Sequence, residues 1–413
     1  MKKIIKILVS LAAILSVVAC EKDNDNVTDN KIHIDKSTEE LIKSDNEFGI
    51  DLFKKILDYQ DSDSNIIISP ISAALALAMT YNGADGATKT AMEVSLRKEG
   101  FTDEEINKMY HDLIGALVSV DPHVTLDIAN SIWYRNTFYV EQDFINTNQD
   151  FYDAEVRALD FGDPSARDII NNWVEEKTND KIKDIIKQVS PSTVMFLINA
   201  IYFNGTWTYE FDKDYTADND FYLSGGSIIQ VPTMHVTGNL RYAENNIFSA
   251  VELFYGGGSY SMVILLPNYG KTVDDIVSEL ASDKWADWTG SFAEEEVSVS
   301  LPKFKFEFGD SLNKPLTDMG MGVAFDPGEA DFSKINPDEQ IFISMVKQQA
   351  YIDVNEEGTE AAAATVVEME LTAMPDGIQY FTVNRPFLFV IKEKDTNSII
   401  FIGRVMKPRY KPD

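Results

Sequence analysis

A chain of 413 residues, 44% hydrophobic and 25% charged, has the composition of an ordinary globular protein and the length to bury a large core. Its formal charge of −31 argues against nucleic acid, whose phosphates need Lys and Arg, and favours solubility or encounter with cationic proteins. The single cysteine, Cys20, rules out an intramolecular disulfide, and with it a thiolate metal site or a Cys-His nucleophile pair in the mature body.

Lys2, Lys3 and Lys6 precede an apolar run from Ile7 to Val18 that is broken only by Ser10 and Ser16. The run is too short for a comfortable membrane span, so residues 1–19 read as a signal peptide and not as structure. It closes as Val-Val-Ala-Cys, which resembles a bacterial lipoprotein signal with Cys20 as the lipidated residue. Residues 20–36 are polar and acidic, and predict a flexible tether from the lipid anchor. Acidic residues close behind Cys20 look like the surface-export signal of Bacteroidetes lipoproteins. The expected location is the outer membrane, facing outward, with the anchor as the membrane contact. An ordinary secretory signal that happens to contain a cysteine is the alternative.

From residue 37 to residue 413 the pattern predicts one domain, without internal repeat or interdomain linker. Ser37 and Glu40 have the spacing of a capping box ahead of a helical stretch carrying Leu41, Ile42, Phe48, Leu52 and Phe53. Residues 65–70 read as a short buried strand ending at proline, and Ser72 opens an apolar helix closed by Gly83. Helices are expected over 85–118, a strand from Val124 to Tyr139, and a helix started by Asp163-Pro164. Val194 to Trp207 is a nearly continuous apolar run, as expected of a central strand buried on both faces. Alternating segments near 228–237, 249–267 and 295–308 predict further strands, with Tyr255-Gly-Gly-Gly-Ser259 as a turn. Residues 352–354, 381–391 and 399–405 complete the set. Helices come mostly first and strands mostly later, without βαβ alternation, which predicts an α+β fold.

The stretch from Glu356 to Pro375 stands apart. Taken every second residue from Thr359, it reads Thr359, Ala361, Ala363, Thr365, Val367, Met369 and Leu371; between them lie Glu360, Ala362, Ala364, Val366, Glu368 and Glu370. In an extended conformation one face is small or apolar and the other carries three carboxylates. Alanine is nevertheless depleted in strands, and four in a row bury little area. A segment that fits outside a sheet as a loop and also slides between two strands is a candidate switch. The plain alternative is an Ala-rich surface helix or linker.

The words around it decide between these. Glu-Glu-Gly-Thr-Glu-Ala-Ala-Ala-Ala-Thr, residues 356–365, resembles the reactive-loop hinge of inhibitory serpins. Downstream, Phe-Thr-Val-Asn-Arg-Pro-Phe-Leu-Phe-Val-Ile, residues 381–391, resembles the serpin C-terminal signature, and Leu316–Ile335 is also serpin-like. The resemblance spans residues 40–410. It implies large mixed sheets, about eight to nine helices and an exposed reactive loop over about 356–380.

The resemblance further implies inhibition of a proteinase by a suicide mechanism. The loop is attacked as a substrate, and after cleavage the hinge inserts into the main sheet as a new strand. Family spacing from Gly358 places the scissile bond at Thr372-Ala373, with Leu371-Thr372 as runner-up. Met374-Pro375 is disfavoured because proline after the bond resists most serine proteinases. No Lys or Arg lies between Gly358 and Asn384, so the implied partner is elastase-like or subtilisin-like, with a papain-like enzyme as a further class. The hinge set is Glu356, Gly358, Thr359, Glu360, Ala361, Ala362, Ala363, Ala364 and Thr365. Trp207, Lys303 and Glu356 match the breach, where insertion begins, and a Lys303–Glu356 pair is expected there. Ser69, Ser72 and Asn199 match the shutter, whose usual histidine is replaced here by Gln348. The inhibitor is expected to be a monomer without cofactor or metal.

His33, His111, His123 and His235 show no metal-ligand spacing, and no G-x-S-x-G elbow or phosphate loop is present. An enzyme reading therefore has no residues to stand on. The competing reading from another class is a serpin-fold binding or chaperone-like protein whose loop never inserts.

Overall fold

The computed structural model describes residues 32, 34–190, 193–359 and 378–411. Among these, nine α-helices and two mixed sheets build an α+β molecule. The first half supplies α1 (Lys36–Leu57), β1 (Ile66–Ile68), α2 (Pro70–Tyr81), α3 (Gly86–Ser95), α4 (Asp103–Ser119) and β2 (Val124–Arg135). It continues with α5 (Gln142–Tyr152), β3 (Glu155–Leu159), α6 (Ser165–Lys177) and β4 (Met195–Thr206). Strands then dominate: β5 (Ala217–Tyr222), β6 (Ile228–Glu244), β7 (Phe248–Tyr255) and β8 (Tyr260–Pro267). Two short helices, α7 (Val273–Glu279) and α8 (Ser282–Gly290), lead to β9 (Ala293–Pro302), β10 (Phe304–Ser311) and α9 (Asn313–Leu316). The remainder is β11 (Lys347–Val354), β12 (Gly358–Thr359), β13 (Gln379–Thr382), β14 (Phe387–Glu393) and β15 (Ile399–Val405).

Two helix starts differ from the sequence expectation. Asp35, not Ser37, caps α1: its carboxylate accepts from the Thr38 amide at 2.8 Å, while the Ser37 hydroxyl donates to that same carboxylate. A carboxylate is the stronger acceptor and also complements the positive end of the helix dipole. Ser69, not Ser72, caps α2, accepting from the Ser72 amide at 3.3 Å with Pro70 in the first turn. Ordered packing also begins before residue 37, since Ile32 and Ile34 lie against the core.

The larger sheet has nine strands in the order β1-β15-β14-β8-β7-β6-β9-β13, with β5 on β6. Its β8, β14 and β15 are buried along their whole length, as the apolar runs require. The second sheet has the order β10-β11-β12-β4-β2-β3. Along β4 the side chains alternate between two apolar layers. Ile201 and Phe203 join the main core, whereas Ile198 and Ala200 join a separate cluster with Trp133, Ile170 and Val174 beneath α6. β4 is central as expected, but Met195, Phe196 and Leu197 at its start are only half-buried.

β12 is antiparallel to β11 on one side and to β4 on the other. β11 and β4 therefore run parallel to each other, and among the described residues β12 is the element that stands between them. Among the described residues β11 and β4 are not paired with each other directly. A strand laid between β11 and β4 in the direction of β12 makes two antiparallel ladders.

Candidate functional site

The site is the end of the six-stranded sheet where β11 turns into β12. Asn355 and Gly358 exchange backbone hydrogen bonds of 3.0 and 3.3 Å around Glu356 and Glu357, forming a tight hairpin. The Asn355 side chain accepts from the Glu357 amide at 3.0 Å and stiffens the turn. Thr359 then pairs with Val354 of β11 and with Gly205 of β4, while Gly358 pairs with Thr206. Gly358 has φ of 156°, and a Cβ there would lie 2.1 Å from the Gly205 carbonyl oxygen. A backbone approach this close admits only glycine.

Aromatic groups form the floor under this turn. Trp207 comes directly after β4; its amide donates to the Glu357 carbonyl and its indole N–H to the Asn355 carbonyl, both at 2.9 Å. The indole stacks on Tyr255 of β7, with centroids 4.3 Å apart and planes 15° from parallel. The Tyr255 hydroxyl meets the Thr359 hydroxyl at 2.5 Å, a bond made entirely in the interior. Burial pushes the Tyr255 phenol far up, so it stays neutral. Thr359 is 3% exposed and faces this core.

Charge closes the outer side. Glu356 is buried, and its carboxylate takes the Lys303 ammonium at 2.7 Å and the Thr216 hydroxyl at 2.8 Å. Its carbonyl accepts from the Phe211 amide at 3.0 Å. Lys303 sits between β9 and β10, fixed by its own amide bond to the Pro232 carbonyl at 2.8 Å. Glu357 pairs with Lys213. Burial works against the Glu356 charge, but the Lys303 ammonium and the Thr216 hydroxyl outweigh it and hold the carboxyl below the usual range.

That depression has a testable consequence for stability. A carboxyl whose folded pKa lies below its unfolded one adds stability that is complete above the unfolded value, here 4.5. The contribution is lost as pH falls through the lower folded value. Thermal midpoints of the wild type and of Glu356→Gln should converge on acidifying below pH 4.5 and separate above it. A gap unchanged between neutral and strongly acidic pH contradicts a charge-based role.

The arrangement is thus a two-residue strand wedged at one end between two parallel strands, and the chain runs on from it into the alternating small-residue segment. The family model "Serpin (serine protease inhibitor)" matches residues 43–408. The chain belongs to the serpin family. An uncharacterized serpin-like protein of Methanosarcina acetivorans is 35% identical over 90% of this chain and 87% of its own length. Iripin-2 of Ixodes ricinus is 35% identical over 89% of this chain and 93% of its own. Among solved structures, the thermophilic serpin tengpin in its native state superposes with a TM-score of 0.83 at 35% identity, covering 91% of this chain and 96% of tengpin.

The structure brings together Trp207, Lys303 and Glu356, the residues expected at the breach, which are joined through one turn. Of the residues expected at the shutter, Ser69 and Gln348 meet as a pair. The Gln348 amide donates to the Ser69 carbonyl at 2.8 Å and its oxygen accepts from the Ser69 amide at 3.3 Å. An amide offers a donor and an acceptor at once, which is how glutamine serves both backbone groups here. Ser72 contributes its backbone amide to Ser69. Asn199 turns instead to β2, donating to the Asn130 side chain at 2.6 Å; its buried Oδ1 has no partner among the described residues. The reactive bond, whether Thr372-Ala373 or Leu371-Thr372, lies outside the described residues, as do Glu360 to Thr365, Cys20 and His33.

Sequence reasoning missed Thr216 and Tyr255, which touch Glu356 and Thr359 from 140 and 104 residues away. Neither lies in a local motif. A threonine in the turn just before β5 and a tyrosine at the end of β7 become partners of this turn only through the packing of distant parts of the chain.

Proposed function

We propose that this serpin inhibits a serine proteinase by inserting its cleaved reactive loop between β11 and β4. The observation that carries this reading is the position of Gly358 and Thr359. Thr359 already pairs with both strands and Gly358 with β4, in the direction that continued insertion requires. Each added residue contributes ladder bonds worth about 1 kcal/mol net. Val367, Met369 and Leu371 add about 1.5–3 kcal/mol apiece if their face is buried. The uncleaved form then persists as a kinetic state, not as the lowest one.

The proteinase cuts at Thr372-Ala373 and belongs to a class that accepts small or medium apolar residues, since the loop offers no Lys or Arg. The direct test incubates the mature protein with elastase-like, subtilisin-like, papain-like and trypsin-like enzymes. A covalent complex surviving denaturation, with one mapped cut, supports inhibition. Cleavage without a complex by every enzyme defeats it and favours a binding or chaperone-like role. Thr372→Arg is expected to raise the rate against trypsin-like enzymes roughly a hundredfold while leaving insertion intact. Cleavage mapped to Met374 or beyond refutes the assigned bond.

The inhibitor works at the cell surface, held to the outer membrane by a lipid on Cys20. Cys20→Ser is expected to release it from membranes into the soluble fraction. A wild-type protein that is soluble in the periplasm and unlipidated by mass spectrometry removes the anchor.

A further inference from the structure

The chain does not stop at β15; its last described residues return to the hinge. Asn65 grips the exit from β15, its side-chain oxygen accepting from the Met406 amide at 2.8 Å and the Lys407 amide at 2.9 Å. The same side chain donates to the Lys407 carbonyl at 2.8 Å. Pro408 is buried. The Arg409 carbonyl then accepts from the Lys305 amide at 2.8 Å, covering the outer edge of β10, which is an edge strand of the sheet. This places the Tyr410 ring with its centroid 4.2 Å from the Lys303 ammonium. Lys303 is therefore held from two sides, by the Glu356 carboxylate and by a half-buried aromatic face.

We propose that Tyr410 is a positioning residue for the hinge: its ring confines the Lys303 ammonium against Glu356, so the C-terminal tail helps to keep the β11–β12 turn closed before cleavage. The physical reason is geometric. A lysine side chain has many rotamers, and a single carboxylate leaves most of them open; a ring packed over the ammonium removes those that point to solvent. Asn65 and the Lys305–Arg409 bond supply the rigid support that lets a residue so near the chain end do this. That the turn stays closed until the loop is cleaved rests on the loop-insertion reading, but the effect of Tyr410 on the turn itself does not.

The test compares Tyr410→Ala, Tyr410→Phe and Tyr410→Leu in the mature full-length protein. The readout is amide hydrogen exchange at Glu357–Thr359. Exchange at these amides should rise about three- to tenfold in Tyr410→Ala and Tyr410→Leu, and stay near wild type in Tyr410→Phe, which keeps the ring face. With Lys303→Met already present, Tyr410→Ala should add nothing. Unchanged exchange in Tyr410→Ala overturns the proposal. So does Tyr410→Phe matching the alanine variant, which assigns the effect to the hydroxyl, or full additivity with Lys303→Met. If the wild type inhibits no proteinase while the exchange results hold, the insertion reading fails and the positioning role stands.

Discussion

On the proposed insertion mechanism, Thr359→Arg is expected to turn the protein from an inhibitor into a substrate of its target. Thr359 is 3% exposed, lies between β11 and β4, and bonds Tyr255 in the interior. An arginine there enters the buried face without a counter-charge, at about several kcal/mol, or keeps the hinge out of the sheet. Either way the insertion step stalls, the acyl-enzyme hydrolyses, and the proteinase leaves active with the loop cut. Because Thr359 is already in the ladder, the uncleaved protein should also melt at lower temperature. In an inserted strand the sequence alternation predicts Glu360 on the opposite, watery face, so Glu360→Arg should be far milder. The molar ratio of inhibitor needed to silence the enzyme, with the thermal stability gained on cleavage, reads both variants. Equal loss in the two defeats the alternating-face argument, and undiminished inhibition by Thr359→Arg defeats insertion.

Glu356→Gln is the second large effect. The Lys303–Glu356 pair has side-chain exposures of 15% and 6%, so removing one charge strands the other in a dry site, at about 3 kcal/mol. Gln is isosteric and can still accept from Thr216, so the loss measures charge and not shape. The thermal midpoint at neutral pH should fall by roughly 5 °C. Combining Glu356→Leu with Lys303→Met should recover most of that loss, because no uncompensated charge remains. A double variant as unstable as the sum of its parts contradicts a charge-pair account.

Local signals in the chain determined a good deal. Apolar runs at Ile66–Ile68, Tyr260–Pro267 and Ile399–Val405 became strands buried along their whole length, as an apolar run requires, and the run at Met195–Thr206 became a strand whose start is only half-buried. Alternation at the hinge placed Thr359 inward, while the close approach of the Gly358 and Gly205 backbones showed only in the structure. Trp207, Lys303 and Glu356 were legible through family resemblance, although no pattern in their own segments links them. Two helix caps were misplaced by two and three residues, since several neighbouring polar side chains compete for the same amides and only packing selects among them.

Tertiary structure alone decided the rest. It made Gln348 a two-sided clip on Ser69 while Asn199 went to Asn130. It set Thr216, Tyr255 and Tyr410 around the hinge from three distant parts of the chain. It also wedged β12 between two parallel strands. Such contacts arise from how two sheets and a chain terminus meet in space. Hydroxyls and rings of this kind have no periodicity of their own, and their partners are chosen by burial and geometry that a linear pattern does not carry.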